Sequence, residues 1–130
     1  MNVVIVGLSR FGLQCAKLLQ QQNHHVAVID RRQEAFNRLP ASCEAVLGMG
    51  IDQDVMRKAG TDKADLFIAA TNDDNTNLMA AQVAKVVFNV KRCIARVRDE
   101  GRGQVFHEQG LIEVICPTLM AAKTVANSVK

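Results

Sequence analysis

Apolar positions fall into six short runs along the chain, each followed by a polar stretch of helical period, and this alternation predicts the fold before any single residue is considered. The first run, Asn2 to Val6, is rich in Val and Ile and stops at Gly7. After the turn Gly7-Leu8-Ser9-Arg10-Phe11-Gly12 a helical pattern continues to about Gln22, and a second β-branched run, Val26 to Ile29, ends at Asp30. Arg31 to Glu34 opens a polar helix with Phe36 and Leu39 as inward positions, closed by Pro40. A third strand is expected at Ala45 to Leu47, ahead of Gly48-Met49-Gly50, and a short helix over Asp52 to Ala59 is capped by Gly60.

The second half repeats the scheme. Asp65 to Ala70 is apolar on both faces, as a central parallel strand should be. It ends in Thr71-Asn72-Asp73-Asp74-Asn75, rich in N-cap candidates, and a long helix runs from about Asn75 to Val87. Arg92 to Val97 is a fifth strand. A helix begun by Arg98 to Gly103 reaches His107 and stops at Gly110; Leu111 to Cys116 is a sixth strand, and Pro117-Thr118 opens a final helix. Six alternations of strand and helix predict an α/β fold: a doubly wound, Rossmann-like, six-stranded parallel sheet in the order 3-2-1-4-5-6. The last helix carries Leu119, Met120, Val125, Ala126 and Val129, more apolar positions than one edge helix needs, so a homodimer contact or a continuation into another domain is expected there.

Composition narrows the classes. The 130 residues, 48% hydrophobic, suffice for one domain with a sizeable core and leave no room for a separate catalytic domain. A net charge of +3, with basic residues scattered and neither Trp nor Tyr, argues against nucleic acid and against direct membrane insertion. No apolar stretch is long enough to span a bilayer and no charged leader precedes the first strand, so the expected location is cytoplasmic. Cys15, Cys43, Cys93 and Cys116 lack metal-ligand spacing and are expected as reduced, mostly buried thiols. His24 and His25 follow the first helix, where a surface role is expected, and His107 reads as structural.

The candidate chemistry lies in the first thirty residues, laid out as strand, glycine turn, helix, strand and acid, the order of a dinucleotide-binding unit. Gly7 permits the tight turn, and Gly12 lets the helix pack close to the sheet with its N-terminal N–H groups pointing outward, an anion site suited to phosphate. Asp30, near the expected twenty residues beyond the turn, can accept hydrogen bonds from ribose hydroxyls and by like charge disfavours a 2′-phosphate, an effect that Arg31 and Arg32 could partly offset. Ser9 replaces the middle glycine; its side chain slightly restricts backbone approach, although its hydroxyl could donate to a phosphate oxygen. Arg10, at the mouth, suits a ligand with more charge than a dinucleotide pyrophosphate, such as ADP or ATP. Arg31 or Arg32 could stack on adenine or lie solvated. Thr71 and Asn72 sit on the same sheet edge as Gly7 and Asp30, whereas Asp73 and Asp74 serve equally well as helix caps. The alternative is a glycine turn without a ligand.

The stretches Gly7 to Gly12, Val28 to Arg31, Ala64 to Asn77 and Ile94 to Asp99 together resemble the N-terminal nucleotide-binding domain of the RCK family, regulators of conductance of potassium, over essentially the whole chain. The resemblance implies a regulatory subunit of the TrkA or KtrA type, or the cytosolic gating domain of a potassium channel. Such domains bind ATP, ADP or NAD(H), dimerise through the sheet edge and the final helix (here about 117–130), and assemble into rings beneath an integral membrane channel or transporter. It further implies that Gly7, Ser9, Arg10, Phe11 and Gly12 hold phosphates, with Arg10 able to reach a neighbouring subunit's nucleotide. Asp30 and Arg31 would serve the ribose and adenine side, and Thr71 and Asn72 would close over the nucleotide. Arg96, within the last matching stretch, is counted with these positions. The residue after Gly48 is often acidic or amide in the family and contacts the adenosine end; here it is Met49. Full subunits usually carry a second, ligand-sensing domain after the final helix; none is expected within these 130 residues, which would then be an isolated domain fragment or a short natural form that acts with other subunits.

Three functions are then open. The first is a non-enzymatic nucleotide sensor, peripheral to the membrane through its partner, that gates potassium transport by binding one conformation better than another. The second is the NAD(H)-binding part of an oxidoreductase, which needs an acid or base near the nicotinamide that no residue here supplies convincingly. The third is a dimerisation module without a ligand. A divalent cation between phosphates could draw on Asp73, Asp74 or Glu100.

Overall fold

In the computed structural model the strands are Asn2–Val6 (β1), His25–Asp30 (β2), Glu44–Leu47 (β3), Leu66–Ala69 (β4), Arg92–Arg96 (β5) and Glu113–Ile115 (β6). The helices are Arg10–Gln21 (α1), Gln53–Lys58 (α2), Asp74–Val86 (α3), Glu100–Glu108 (α4) and Pro117–Ser128 (α5), with 3-10 turns at Gln33–Arg38 and Thr61–Lys63. The structure describes the backbone of residues 1–130 and every side chain except those of Glu100, Phe106, His107 and Glu108. The expectations for His107 and Glu100 therefore fall outside the described side chains.

All pairings are parallel and the order is β3-β2-β1-β4-β5-β6, as the alternation predicts. Parallel strands buried on both faces need apolar residues at every position, and β1 shows why this sequence complies. Val4 and Val6 enter one core cluster with Phe67 and Ala69 of β4, while Val3 and Ile5 enter the other with Leu66 and Ile68. The first cluster is covered by α2 and α3, the second by α1 and the turn after β2. Each fully buried Val or Ile contributes about 1.5–3 kcal/mol relative to exposure. The four such residues of β1 anchor the strand whose end carries the glycine turn.

Helix α1 has no β-branched residue, begins at the Ser9 cap and ends where Asn23 takes a φ of 68°. In α3 the inward face is Leu78, Ala80, Ala81 and Ala84, small enough for close approach to β4 and β5, with one polar exception, Asn77. The segment after Arg32 is a 3-10 turn rather than the expected helix: it has no buried residue, and Phe36 and Leu39 are only half-buried before Pro40. The sixth strand is shorter than expected: its pairing with β5 begins only at Glu113, although Ile112 before it is buried in the first cluster. Helix α5 has no buried residue, and from Ala121 onward every position is exposed. Among the described residues no helix is long and apolar enough to cross a membrane.

Candidate functional site

Because the sheet is parallel, the carboxyl ends of β1, β2 and β4 share one edge, and the turns that leave them build the site. Gly7 has a φ of 96°, and its N–H donates to the Ile29 carbonyl at 2.8 Å, tying the turn to β2. A Cβ on Gly7 would lie 2.7 Å from Thr71 Cα, so glycine is required both by conformation and by the approach of the β4 loop. A Cβ on Gly12 would lie 2.0 Å from the Gly7 carbonyl oxygen. Gly12 thus allows α1 to start directly against the turn. Ser9 caps the helix: its Oγ accepts from the Gly12 N–H at 3.1 Å and donates to the Ala70 carbonyl at 2.5 Å. The hydroxyl expected to face a phosphate is instead turned toward β4. The N–H groups of Arg10 and Phe11 have no partner among the described residues, and they lie at the positive end of a 12-residue helix.

Asp30 is only 7% exposed and fully engaged. Its Oδ2 accepts from the Leu8 N–H at 2.8 Å; its Oδ1 accepts from the Arg32 N–H at 2.9 Å and from Arg32 Nε at 3.2 Å. Burial pushes the carboxyl up, but the Arg32 hydrogen bond, the two backbone N–H groups and the Arg32 charge together outweigh it and hold the acid below its usual range. The acid therefore clamps the glycine turn to the end of β2, and Arg32 is its partner rather than a free or stacking cation. Arg31 remains exposed at the cleft wall.

The third wall is the loop after β4. Asn77, 0% exposed, uses its whole amide there. Oδ1 accepts from Thr71 N at 2.9 Å and Thr71 Oγ1 at 2.6 Å, while Nδ2 donates to the carbonyls of Thr71 at 3.0 Å and Arg96 at 2.9 Å. Arg96 Nη1 donates to Thr71 O at 3.0 Å and Asn72 Oδ1 at 3.3 Å, and Arg98 donates to the Asn72 carbonyl. Asp73 caps α3 through Thr76, which lowers its carboxyl pKa. Asp74 accepts from the N–H groups of Arg98 and Asp99. Both acids act as caps and ties.

These walls enclose a cleft of ≈ 430 Å³ whose lining includes Gly7, Ser9, Asp30, Arg31, Gly48, Met49, Thr71 and Asn72. Of the positions expected at the site, Arg10, Phe11, Gly12 and Arg96 do not line it. Arg10 projects from the first turn of α1 with no hydrogen bond or ion pair to the described residues. The Phe11 side chain packs into the second core cluster with Leu8 and Cys15. Gly12 lies beneath the turn and Arg96 behind the β4 loop. Met49, 49% exposed, forms the far wall beside Gly50, where a Cβ would lie 2.1 Å from Val6 Cγ1. Arg32, read as stacking on adenine or solvated, was not expected on Asp30, and Leu8, Gly50 and Asn77 were missed by sequence reasoning. A second glycine pair flanking Met49 and a lone amide on an alanine-rich helix face were the signals that could have found the last two.

The remaining chemistry is quiet. The four cysteines are free; burial raises the thiols of Cys15 and Cys43, and Cys93 is pushed up to about 11. His24 Nδ1 lies 3.1 Å from the terminal amine, and His25 faces Glu44 at 3.4 Å, both at the surface. Among the described residues no group of three His, Cys, Asp or Glu side chains could hold a metal ion. A diphosphate-bearing nucleotide fits the cleft's chemistry: helix N–H groups without a partner among the described residues at one end, the turns at Gly7 and Gly50 along the wall, and an acid and Arg31 at the other.

Residues 3–117 match the TrkA-N domain family. The chain is 42% identical over 113 residues to the Trk system potassium uptake protein TrkA of Streptomyces coelicolor, covering 85% of this chain and 51% of that protein. It spans about half the length of that relative. The TrkA-N domain of the Escherichia coli inner membrane protein ybaL superposes with a TM-score of 0.88 at 19% identity, covering 99% of this chain and 96% of that one, a likeness of fold. The GsuK channel bound to NAD superposes with a TM-score of 0.81 at 25% identity, over 97% of this chain and 22% of that one, and GsuK is also known bound to ADP.

Proposed function

The chain belongs to the TrkA-N domain family, and from that premise we propose that it is a non-enzymatic regulatory domain that binds an adenine nucleotide and controls potassium transport. The observation that carries the reading is the cleft itself: the glycine turn, Asp30 and the Thr71–Asn72 loop converge on one ≈ 430 Å³ space at the sheet's switch point between β1 and β4. Phosphates lie against Gly7 and the free N–H groups of Arg10 and Phe11. The adenosine end lies toward Asp30, Arg31, Gly48 and Met49. Arg10, without a partner among the described residues and outside its own cleft, reaches a third phosphate or the nucleotide of a neighbouring copy. The name of the Streptomyces relative supports the link to potassium uptake, and the GsuK structures support ADP or NAD as ligand.

The domain acts with an integral membrane potassium transporter or channel, at the inner face of the membrane. It works as a homodimer or higher ring in which the exposed face of α5, with Met120, Val125 and Val129, meets a second copy. Nucleotides then act by differential affinity for the arrangements of the paired domains.

Thermal unfolding of the purified chain against ATP, ADP, AMP, NAD, NADH and NADPH tests the nucleotide reading. A ligand at a hundred times its dissociation constant adds about 2.7 kcal/mol. The expected result is a clear upward shift with ATP, ADP or NAD(H), with Arg10→Ala weakening ATP more than NAD. No shift with any of the six removes the proposal. Unchanged potassium-limited growth after deletion of the gene removes its transport half.

A further inference from the structure

Given the nucleotide-binding reading above, we infer that Asn77 is a positioning residue for the phosphate half of the cleft, holding the Thr71–Asn72 wall from behind together with Arg96. A buried amide is costly unless every polar atom is matched, and an alanine would continue the pattern of the α3 face without that demand. Here all four hydrogen-bonding capacities are used, and three of the four bonds go to Thr71, through its N–H, its hydroxyl and its carbonyl. Thr71 is the residue against which the Gly7 turn closes, since a Cβ on Gly7 would lie 2.7 Å from its Cα and N. The fourth bond reaches the Arg96 carbonyl, and the Arg96 guanidinium returns to Thr71 O and to the Asn72 side chain. The ends of β4 and β5 are thereby joined through one side chain.

Neither Asn77 nor Arg96 lines the cleft, so neither acts by touching the ligand. Their reach is also one-sided. The network holds the wall beside Gly7, whereas Asp30, Arg31, Gly48 and Met49 lie across β1 and are held by separate bonds, from Leu8 and Arg32 to Asp30 and from the Gly48 N–H to the Asp30 carbonyl. Loss of the network should therefore weaken recognition of phosphates and leave recognition of the nucleoside intact. A side chain that merely stabilised the fold would make no such distinction.

Titration calorimetry of ADP, NAD and adenosine with the full chain tests this, using Asn77→Asp, Arg96→Ala and Arg96→Lys. Asn77→Asp keeps the shape and the acceptor facing Thr71 but replaces both N–H donors with an oxygen. The expected loss for ADP and NAD is about tenfold, equivalent to one or two hydrogen bonds, with adenosine changed less than about twofold. Arg96→Ala should follow the same pattern, and Arg96→Lys, which restores one donor, should recover part of the affinity. Should Asn77→Asp fail to fold, the Arg96 pair decides. Parallel weakening of all three ligands, or unchanged binding by variants that melt earlier, overturns the positioning role and leaves nucleotide binding standing. A wild-type chain that binds none of the three overturns both.

Discussion

Ser9→Gly would restore the three-glycine spacing of a dinucleotide-binding turn, yet the structure predicts that it destabilises the protein. Ser9 has φ −67° and ψ 173°, a conformation open to any residue, so glycine brings no relief of strain. Its hydroxyl caps the Gly12 N–H and donates to the Ala70 carbonyl at the end of β4. Gly at an N-cap costs only a few tenths of a kcal/mol, but the bond to Ala70 is worth about 1 kcal/mol and the added chain entropy of glycine about 0.5–1 kcal/mol. The sum is about 2 kcal/mol. With an unfolding entropy of about 2.1 cal/mol/K per residue, a domain of this size loses roughly 4 °C of midpoint per kcal/mol, so a fall of about 8 °C is expected. Ser9→Ala should fall by a similar amount, through the cap and the Ala70 bond without the entropy. Circular dichroism melts of the three proteins, with and without ADP, provide the assay. The ligand-induced increment should be unchanged, because the hydroxyl points to β4 and not into the phosphate site. A Ser9→Gly variant that melts at or above the wild type, or that loses most of the ADP increment, would refute the assigned role of this hydroxyl.

Three further outcomes are expected. Gly12→Ala places a Cβ 2.0 Å from the Gly7 carbonyl oxygen and should cost more than about 3 kcal/mol, seen as a severe loss of midpoint or of soluble protein; a melt within 2–3 °C of wild type would contradict the packing. The Asp30 carboxyl sits below its unfolded value, so its contribution is present above pH ~4 and is lost as pH falls through the folded pKa; Asp30→Asn should cost about 1–3 kcal/mol at neutral pH and flatten that acid limb in urea titrations, and an unchanged limb would sink the assignment. Cys43 and Cys93, buried with raised thiol pKa values, should resist alkylation in the native chain at neutral pH and react once denatured, as mass spectrometry of the labelled peptides would reveal.

The sheet was legible because its evidence is periodic: six apolar runs at positions that must be buried on two faces leave few alternatives to an open parallel sheet. Gly7 and Gly12 were legible for a different reason, since the strand, turn and helix around them announce a glycine turn by their spacing. Side-chain direction was not. Phe11 and Arg10 are neighbours in the turn, but one packs into the core and the other into solvent, because successive helical residues are about 100° apart and only the packing of α1 on the sheet fixes which faces inward. Arg96 was counted as a ligand contact from its place in the last stretch that resembles the family; in the fold its guanidinium bends back to the Thr71 carbonyl. Arg32 and Ser9 were misjudged for a shared cause. A role toward a ligand was open for each, donation to a phosphate for Ser9 and stacking on adenine or plain solvation for Arg32, and each is instead satisfied by a partner distant in sequence or supplied by the turn itself: Ala70 for Ser9, Asp30 for Arg32.

The strand order also determines how the molecule comes apart. Residues 1–47 form three neighbouring strands, β3-β2-β1, and the remaining three are contributed by residues 66–115, so within the sheet the halves are joined where β1 pairs with β4. That seam joins positions about sixty residues apart in the chain, the kind of non-local closure that slows folding and comes late. The cleft straddles the same seam, with Gly7 on one lip and Thr71 on the other. On the proposed function, a nucleotide seated there would touch both halves at once, so its binding would stabilise the β1–β4 seam as well as fill the cleft.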